Sequence, residues 1–267
     1  KISDRVAEMR NLPKGIDQRS ACRHPDWTGP DDLEIKIEEI REITDWEKPI
    51  YIKIGASRPY YDTQLAVKAG ADVIVLDGMQ GGTAATQDVF IEHVGLPTLA
   101  CIRQAVQALQ EMGMHREVQL IVSGGIRNGA DAAKALALGA DAVSIGVAAM
   151  IALGDNDPAY AEEYAKIGSA AGFYDDWHEG KDPTGISTQD PELAARFDPE
   201  QGGRRLNNYL KTMTLEVQTL ARAAGKSHVH NLEPEDLVAL TIEAAAMARV
   251  PLAGTEWIPG HTAANGW

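Results

Sequence analysis

Two short echoes constrain this chain more than any other feature. Ala69-Gly70-Ala71-Asp72 leads straight into Val73-Ile74-Val75-Leu76, and Leu138-Gly139-Ala140-Asp141 leads into Ala142-Val143-Ser144-Ile145. In both, a helix-like stretch stops at a glycine, the residue that most easily takes the left-handed turn closing a helix. The unbroken apolar run Val73 to Leu76 is the pattern of a strand covered on both faces. The echo spans two strand–helix units, so each takes about 35 residues, near the repeat of an eight-fold barrel.

The same order extends in both directions. A helix is expected over Asp31 to Ile43, with Ile35, Ile37, Ile40 and Ile43 as its apolar stripe. A strand from Ile50 to Ile54 ends at Gly55, and a helix carrying Leu65, Ala66 and Ala69 follows. Further on come a helix from Pro97 to Met112, a strand from Val118 to Val122, a helix from Asp131 to Leu138 and a strand from Ala142 to Ile145. Strands alternating with helices imply parallel pairing and right-handed crossovers. The expected class is α/β, a (β/α)8 barrel. Four strong strands, with a weak fifth candidate at Gly15-Ile16-Asp17, cannot close an eight-stranded barrel, so either this chain is a fragment or another segment supplies the missing strands.

After Gly154 the strand pattern stops. Helical stretches over Gly203 to Ala224 and Pro234 to Ala248 follow a Gly-, Asp- and Pro-rich segment from Gly172 to Asp190. Residues 1–154 thus read as the half-barrel and 155–267 as a helical and loop extension packed on it. The net charge of −14 argues against a nucleic-acid surface. No apolar run approaches the ~20 residues of a membrane span. The charged opening Lys1-Ile2-Ser3-Asp4-Arg5 shows no export signal, and Cys22 and Cys101 lack metal-ligand spacing, so a reduced cytoplasmic setting is expected.

Barrel chemistry sits in the loops after the strands. The strongest signal is Ser123-Gly124-Gly125-Ile126-Arg127-Asn128-Gly129, followed about twenty residues later by the strand-end Gly146. Glycines let backbone N–H groups approach an oxyanion, and the last two loops of such barrels commonly hold phosphate. Lys53, inside Ile52-Lys53-Ile54, is either a lysine reaching outward to water or a cation aimed into the barrel mouth. Asp77 in Leu76-Asp77-Gly78 is either a turn cap or a polar contact near a ligand. Gly81-Gly82-Thr83 alone is a weak signal. His228 and His230 have no nearby third ligand and read as capping or interface groups, so no metal is assigned.

The stretch from Ser123 to Gly129, taken with Gly139 to Gly146, resembles the FMN-dependent barrels. That pattern is shared by 2-hydroxyacid oxidases and inosine-monophosphate dehydrogenases. Three more segments resemble the glutamate synthase family: Leu76-Asp77-Gly78-Met79-Gln80-Gly81-Gly82-Thr83-Ala84, Met150 to Gly154, and Thr184-Gly185-Ile186-Ser187-Thr188-Gln189-Asp190-Pro191-Glu192-Leu193. The resemblance implies an FMN-dependent TIM barrel of which this chain supplies roughly the C-terminal half, with the N-terminal half of the same barrel as a partner, and with phosphate on Gly124, Gly125, Gly146 and Val147. It implies Ser123, Asp77, Gly81 and Gly82 around the cofactor, Gln80 and Thr83 toward substrate, and Lys53 at the flavin pyrimidine edge as the catalytic cation.

One departure narrows the reading. Where the family carries three iron–sulfur cysteines, this chain has Ala171, Trp177 and Asp182, and iron–sulfur clusters need thiolates. No cluster is expected at those positions. Phe173, Tyr174 and Trp177 are expected to anchor the loop instead, with Asp175, Asp176 and Asp182 at the surface or accepting backbone N–H bonds. This loop and the segment Lys226 to Val238 are similar to the C subunit of N-methylglutamate synthase, also called methylamine–glutamate N-methyltransferase. That resemblance implies glutaminase-like and Gly-repeat partner subunits and the small molecules glutamate and an amine. The alternatives are glutamate synthase proper, a 2-hydroxyacid oxidase or inosine-type dehydrogenase, and a flavin-free scaffold subunit. An oxidase needs a late-loop His, and His93 is distant. A dehydrogenase needs a mid-barrel loop Cys, which Cys22 and Cys101 do not supply.

Overall fold

The structure, a computed structural model, describes residues 4–16, 24–82 and 87–261. In chain order its helices are α1 (Asp4–Met9), α2 (Pro30–Ile43), α3 (Pro59–Lys68), α4 (Asp88–His93), α5 (Thr98–Glu111), α6 (Gly129–Ala137), α7 (Val147–Leu153), α8 (Ala161–Lys166), α9 (Pro191–Ala194), α10 (Pro199–Ala223) and α11 (Ile242–Ala248). Its strands are β1 (Tyr51–Gly55), β2 (Val73–Asp77), β3 (Gln119–Ser123) and β4 (Ala142–Ser144). They form one parallel sheet in the order β1-β2-β3-β4. Strands that follow one another in sequence order, with helices on one face, make the wall of a barrel. A doubly wound sheet instead reverses its order at a switch point and is covered on both sides.

Two compact units are present. The sheet unit holds Arg23–Gly81, His93–Ile145 and Met213–Trp267; the other holds Lys1–Cys22, Gly82–Glu92 and Gly146–Thr212.

The two faces of the sheet differ sharply. Ile74, Leu76, Leu120 and Val122 are fully buried on the face where α3 and α5 pack against the strands and against each other. Burying one such side chain contributes about 1.5–3 kcal/mol. The parallel register places Lys53 beside Val75 and Ile121, and Asp77 beside Gly55 and Ser123, on the opposite face. There Tyr51 and Lys53 are exposed.

The echoed tetrapeptides do the same structural job twice. Gly70 and Gly139 take φ of 96° and 108°, ending α3 and α6. The aspartate two residues on then turns back to a neighbouring strand. Asp72 Oδ2 accepts the Ile50 N–H at 2.7 Å, and Asp141 Oδ2 accepts the Leu120 N–H at 2.8 Å. Each aspartate satisfies a donor at a strand start that would otherwise lack a partner. A Cβ at Gly139 would stand 2.8 Å from Val106 Cγ2, so the glycine also lets α5 approach.

Several expectations need correcting. Gly15 and Ile16 form a turn and bend rather than a strand, and Asp17 lies outside the described residues. In α2 only Leu33 and Ile37 are buried, packing with Ile50 and Ala69, while Ile35, Ile40 and Ile43 are exposed. The helix is anchored along one narrow line, so a broad apolar stripe overstates its contact. The expected helix from Pro234 to Ala248 is a 3-10 turn, Pro234–Asp236, and the separate α11. Thr241 caps α11 by accepting the Ala244 N–H, which requires extended backbone at Thr241.

Candidate functional site

At the C-terminal ends of β1, β2 and β3 three polar side chains meet on the open face. Lys53 Nζ lies 3.1 Å from Asp77 Oδ2. Ser123 Oγ donates to Asp77 Oδ1. Their contact follows from register, since Gly55, Asp77 and Ser123 are paired neighbours and Lys53 sits two residues before Gly55 on the same face. The Lys53 side chain is 59% exposed and that of Asp77 16%, so the cation reaches into solvent while the carboxylate is held below it.

The loops above are tied together by backbone. Gly78 N–H donates to Ser123 O, Ala56 N–H to Asp77 O, Leu96 N–H to Ala56 O, and Met79 N–H to Leu96 O. Thr98, the first residue of α5, is the cross-link that the sequence reading missed. Its hydroxyl donates to Gly124 O at 2.8 Å, and its N–H donates to Gln80 Oε1 at 2.9 Å. A Thr just after Pro97 at a helix start was the available signal. Gln80, expected toward substrate, thus uses its carbonyl to cap α5. Thr83 lies outside the described residues.

Glycines are required here for identifiable reasons. Gly124 and Gly125 have φ of 107° and 73°, a conformation that costs a side-chain-bearing residue about 1–2 kcal/mol. A Cβ on Gly81 would fall 2.0 Å from Asp77 Oδ1, and one on Gly78 would fall 2.0 Å from the Thr98 hydroxyl. Gly82 follows, exposed, at φ 153°. Among the described residues the N–H groups of Gly125 and Ile126 have no protein acceptor.

Asn128 caps α6 by accepting the Asp131 N–H at 2.9 Å. Glu216 Oε2 of α10 accepts the Gly129 N–H at 2.7 Å. A Cβ on Gly129 would lie 2.3 Å from Glu216 Cβ and 2.5 Å from Met213 O, so α10 packs directly on this turn. The start of α6 therefore already carries its own carboxylate, and the free donors lie one step earlier, at Gly125 and Ile126. Nothing in the sequence pattern signals Glu216, which is 87 residues away. Gly146 is the N-cap of α7 and Val147 its first residue.

In the other unit, Trp177 and Asp182, two of the three positions expected to lack a cluster, belong to a polar network, to which the third, Ala171, offers no polar side chain. Asp182, with no exposed surface, accepts the N–H groups of Thr184, Ile186 and Ser187, each at 3.0 Å. It also accepts the hydroxyls of Thr184 at 2.8 Å and Tyr164 at 3.2 Å. Asn156 accepts the N–H groups of Gly172 and Tyr174 and donates to Tyr174 O. Trp177 Nε1 donates to Asp155 Oδ2 at 2.8 Å. Burial, with a smaller push from Asp182, raises the Asp155 carboxyl above the usual range, against the opposing Trp177 hydrogen bond. Burial pushes the Tyr174 hydroxyl up to about 12.

The aromatic anchor is therefore Tyr174 and Trp177, joined by Tyr164. Phe173 is 82% exposed, a correction that follows from its lack of a polar tip for the network its neighbour joins. Asp175 and Asp176 are exposed, as expected. His228 is a local cap, whereas His230 reaches across to the start of β4. His228 Nδ1 accepts the His230 N–H, and His230 Nε2 sits 2.8 Å from Asp141 O. Among the described residues no cluster of His, Cys, Asp and Glu could hold a metal, and no helix is long and apolar enough to cross a membrane.

Known proteins resemble this chain in sequence. A family model described as the conserved region in glutamate synthase matches residues 1–159 and 170–227. A glutamate synthase large subunit-like protein of Rhizobium meliloti (strain 1021) is 80% identical over 97% of this chain, and an archaeal glutamate synthase (NADPH) of Methanocaldococcus jannaschii is 38% identical over 87%. The chain spans 59% and 42% of those two relatives. A mutant flavocytochrome b2 solved with benzoylformate is 21% identical, covers 88% of this chain and 42% of its own, and superposes with a TM-score of 0.49. With a family match across most of its length and so near a relative, this chain belongs to the glutamate synthase family.

Proposed function

We propose that this chain holds FMN at the strand ends of its barrel wall and is part of an N-methylglutamate synthase. The observation that carries the flavin reading is the pair of unpartnered N–H groups at Gly125 and Ile126, set by two consecutive left-handed glycines at the end of β3. Such a turn suits an anionic phosphate oxygen, and the exposed ammonium of Lys53 two strands away suits a flavin that becomes anionic on reduction. The residues fit the cofactor. FMN would supply two-electron redox chemistry, and the protein would bind and orient it. Gly146 and Val147 enter this proposal from the sequence pattern alone.

The narrower reading rests on Asp182. Its carboxylate is fully committed to donors of its own loop and to the Tyr164 hydroxyl of α8, in the place where the family resemblance sets a thiolate. The proposed reaction is methylamine plus L-glutamate giving N-methylglutamate plus ammonia, with glutaminase-like and Gly-repeat subunits as partners. The test is a visible spectrum of the full-length protein with those subunits, followed by mass analysis after incubation with methylamine and glutamate. Absence of flavin bands would refute the cofactor reading. Bound flavin without N-methylglutamate would refute the methylamine reading and leave the flavin site standing.

A further inference from the structure

Asp77 stood in the sequence reading as a group beside the cofactor, yet the structure shows its carboxylate already used. One oxygen faces the Lys53 ammonium at 3.1 Å, and the other accepts the Ser123 hydroxyl. Gly81 leaves the space in which that carboxylate lies, because a Cβ there would stand 2.0 Å from Oδ1 and 2.6 Å from Cγ. The loop carrying Gly81 is in turn fixed to Asp77's own turn, since Gly81 N–H donates to Gly78 O at 2.8 Å.

From this geometry we infer that Asp77 is a positioning residue: it sets where the Lys53 ammonium stands, with Ser123 orienting the carboxylate and Gly81 giving it room. A four-carbon lysine side chain more than half exposed has many rotamers, and one carboxylate contact at the strand end selects among them. The second oxygen is needed as well. A carboxylate held at a single point can turn about its own axis, whereas the Ser123 bond removes that freedom. The role of Gly81 is steric and lies within the protein. The inference rests on the flavin reading for its purpose, not for its geometry.

Two substitutions perturb this arrangement while keeping every charge. Gly81→Ala displaces the Asp77 carboxylate, and the backbone there is not left-handed, so alanine itself is tolerated. Ser123→Ala removes the orienting hydroxyl and serves if Gly81→Ala does not fold. In the flavin-free full-length protein, the nitrogen-15-resolved ammonium signal of Lys53, identified by its loss in Lys53→Met, should be sharp in the parent and broadened or shifted in both variants. In the flavin-loaded protein, the oxidised-to-reduced flavin ratio at a fixed redox poise should change by about threefold or more in each variant, the scale of one partly exposed charge contact. In the Lys53→Met background the same substitutions should leave that ratio unchanged. Equal changes in both backgrounds would show that Asp77 acts on the flavin directly, which overturns the inference. An undisturbed Lys53 signal in both variants overturns it too. If the parent binds no flavin, the flavin reading fails and the Lys53 signal still decides the inference.

Discussion

Replacing Asp182 by alanine should unfasten the loop that occupies the cluster position. Three backbone N–H groups at 3.0 Å and two hydroxyls end on this one carboxylate, which has no exposed surface. A hydrogen bond to a charged group contributes about 1.5–3 kcal/mol, and a buried donor left unpaired costs about 1–3 kcal/mol. These terms do not add fully, because Ile186 and Ser187 are half-buried and water can reach the emptied turn. We expect a loss of about 3–5 kcal/mol, the range in which single substitutions break a buried network. Denaturant unfolding followed by tryptophan fluorescence measures it, and hydrogen exchange at Thr184, Ile186 and Ser187 localises it. A local loss of ~3 kcal/mol accelerates exchange roughly a hundredfold. Ser187→Ala is the control: its hydroxyl is buried without a partner, so removing it should be neutral or slightly stabilising. A cost below about 1 kcal/mol for Asp182→Ala, or unchanged exchange at the three amides, would refute this account.

Gly125→Glu should abolish FMN retention, since a carboxylate would stand at the free N–H groups; equilibrium dialysis with unchanged affinity would disprove that placement. Gly129→Ala should cost about 1–3 kcal/mol through its collision with Glu216 and Met213 O, read as a lowered unfolding midpoint. Asp155 has a carboxyl raised by burial, so its contribution to stability is full below the ordinary carboxylate value and falls as pH rises through the raised one. Asp155→Asn should flatten that part of the stability–pH curve, and an unchanged slope would count against it. Burial lifts the Cys101 thiol to about 12, so at pH 8 a thiol reagent should reach it only after denaturation; rapid labelling at Cys101 in a folded Cys22→Ser variant would contradict this.

What was legible in the sequence was whatever repeats or punctuates. The glycine–aspartate echo located two strands and the helices before them, because a left-handed cap and a backbone-accepting carboxylate are local necessities. Lys53, Asp77 and Ser123 could each be placed at a strand end, since parallel strands of equal unit length carry their termini to the same edge. Their contact with one another was not legible: it depends on register, which spacing alone leaves free. Glu216 on Gly129, Thr98 on Gly124 and Trp177 on Asp155 escaped for the same reason. Each joins segments with no common periodicity, and each satisfies a polar group, the Gly124 carbonyl or the Gly129 and Trp177 N–H, whose need appears only once the turn is built. The stripe in α2 misled because isoleucine spacing reports a helix but not how much of it is covered.

The two-sidedness of the sheet sets different rules for neighbouring letters of the same strand. Along β2, Ile74 and Leu76 face packed helices, whereas Val75 and Asp77 face the side on which the chemistry is proposed. Over residues 74–77 a substitution at an even-numbered position is judged by volume and one at an odd-numbered position by charge and reach, while Val73, buried at the strand start, is judged by volume as well. Variation within this family can therefore rewrite one side of each strand, letter by alternate letter, while the fold that presents it stays the same. A saturation library over residues 74–77 would show that split as two interleaved tolerance profiles, one selected by stability and the other by cofactor and substrate.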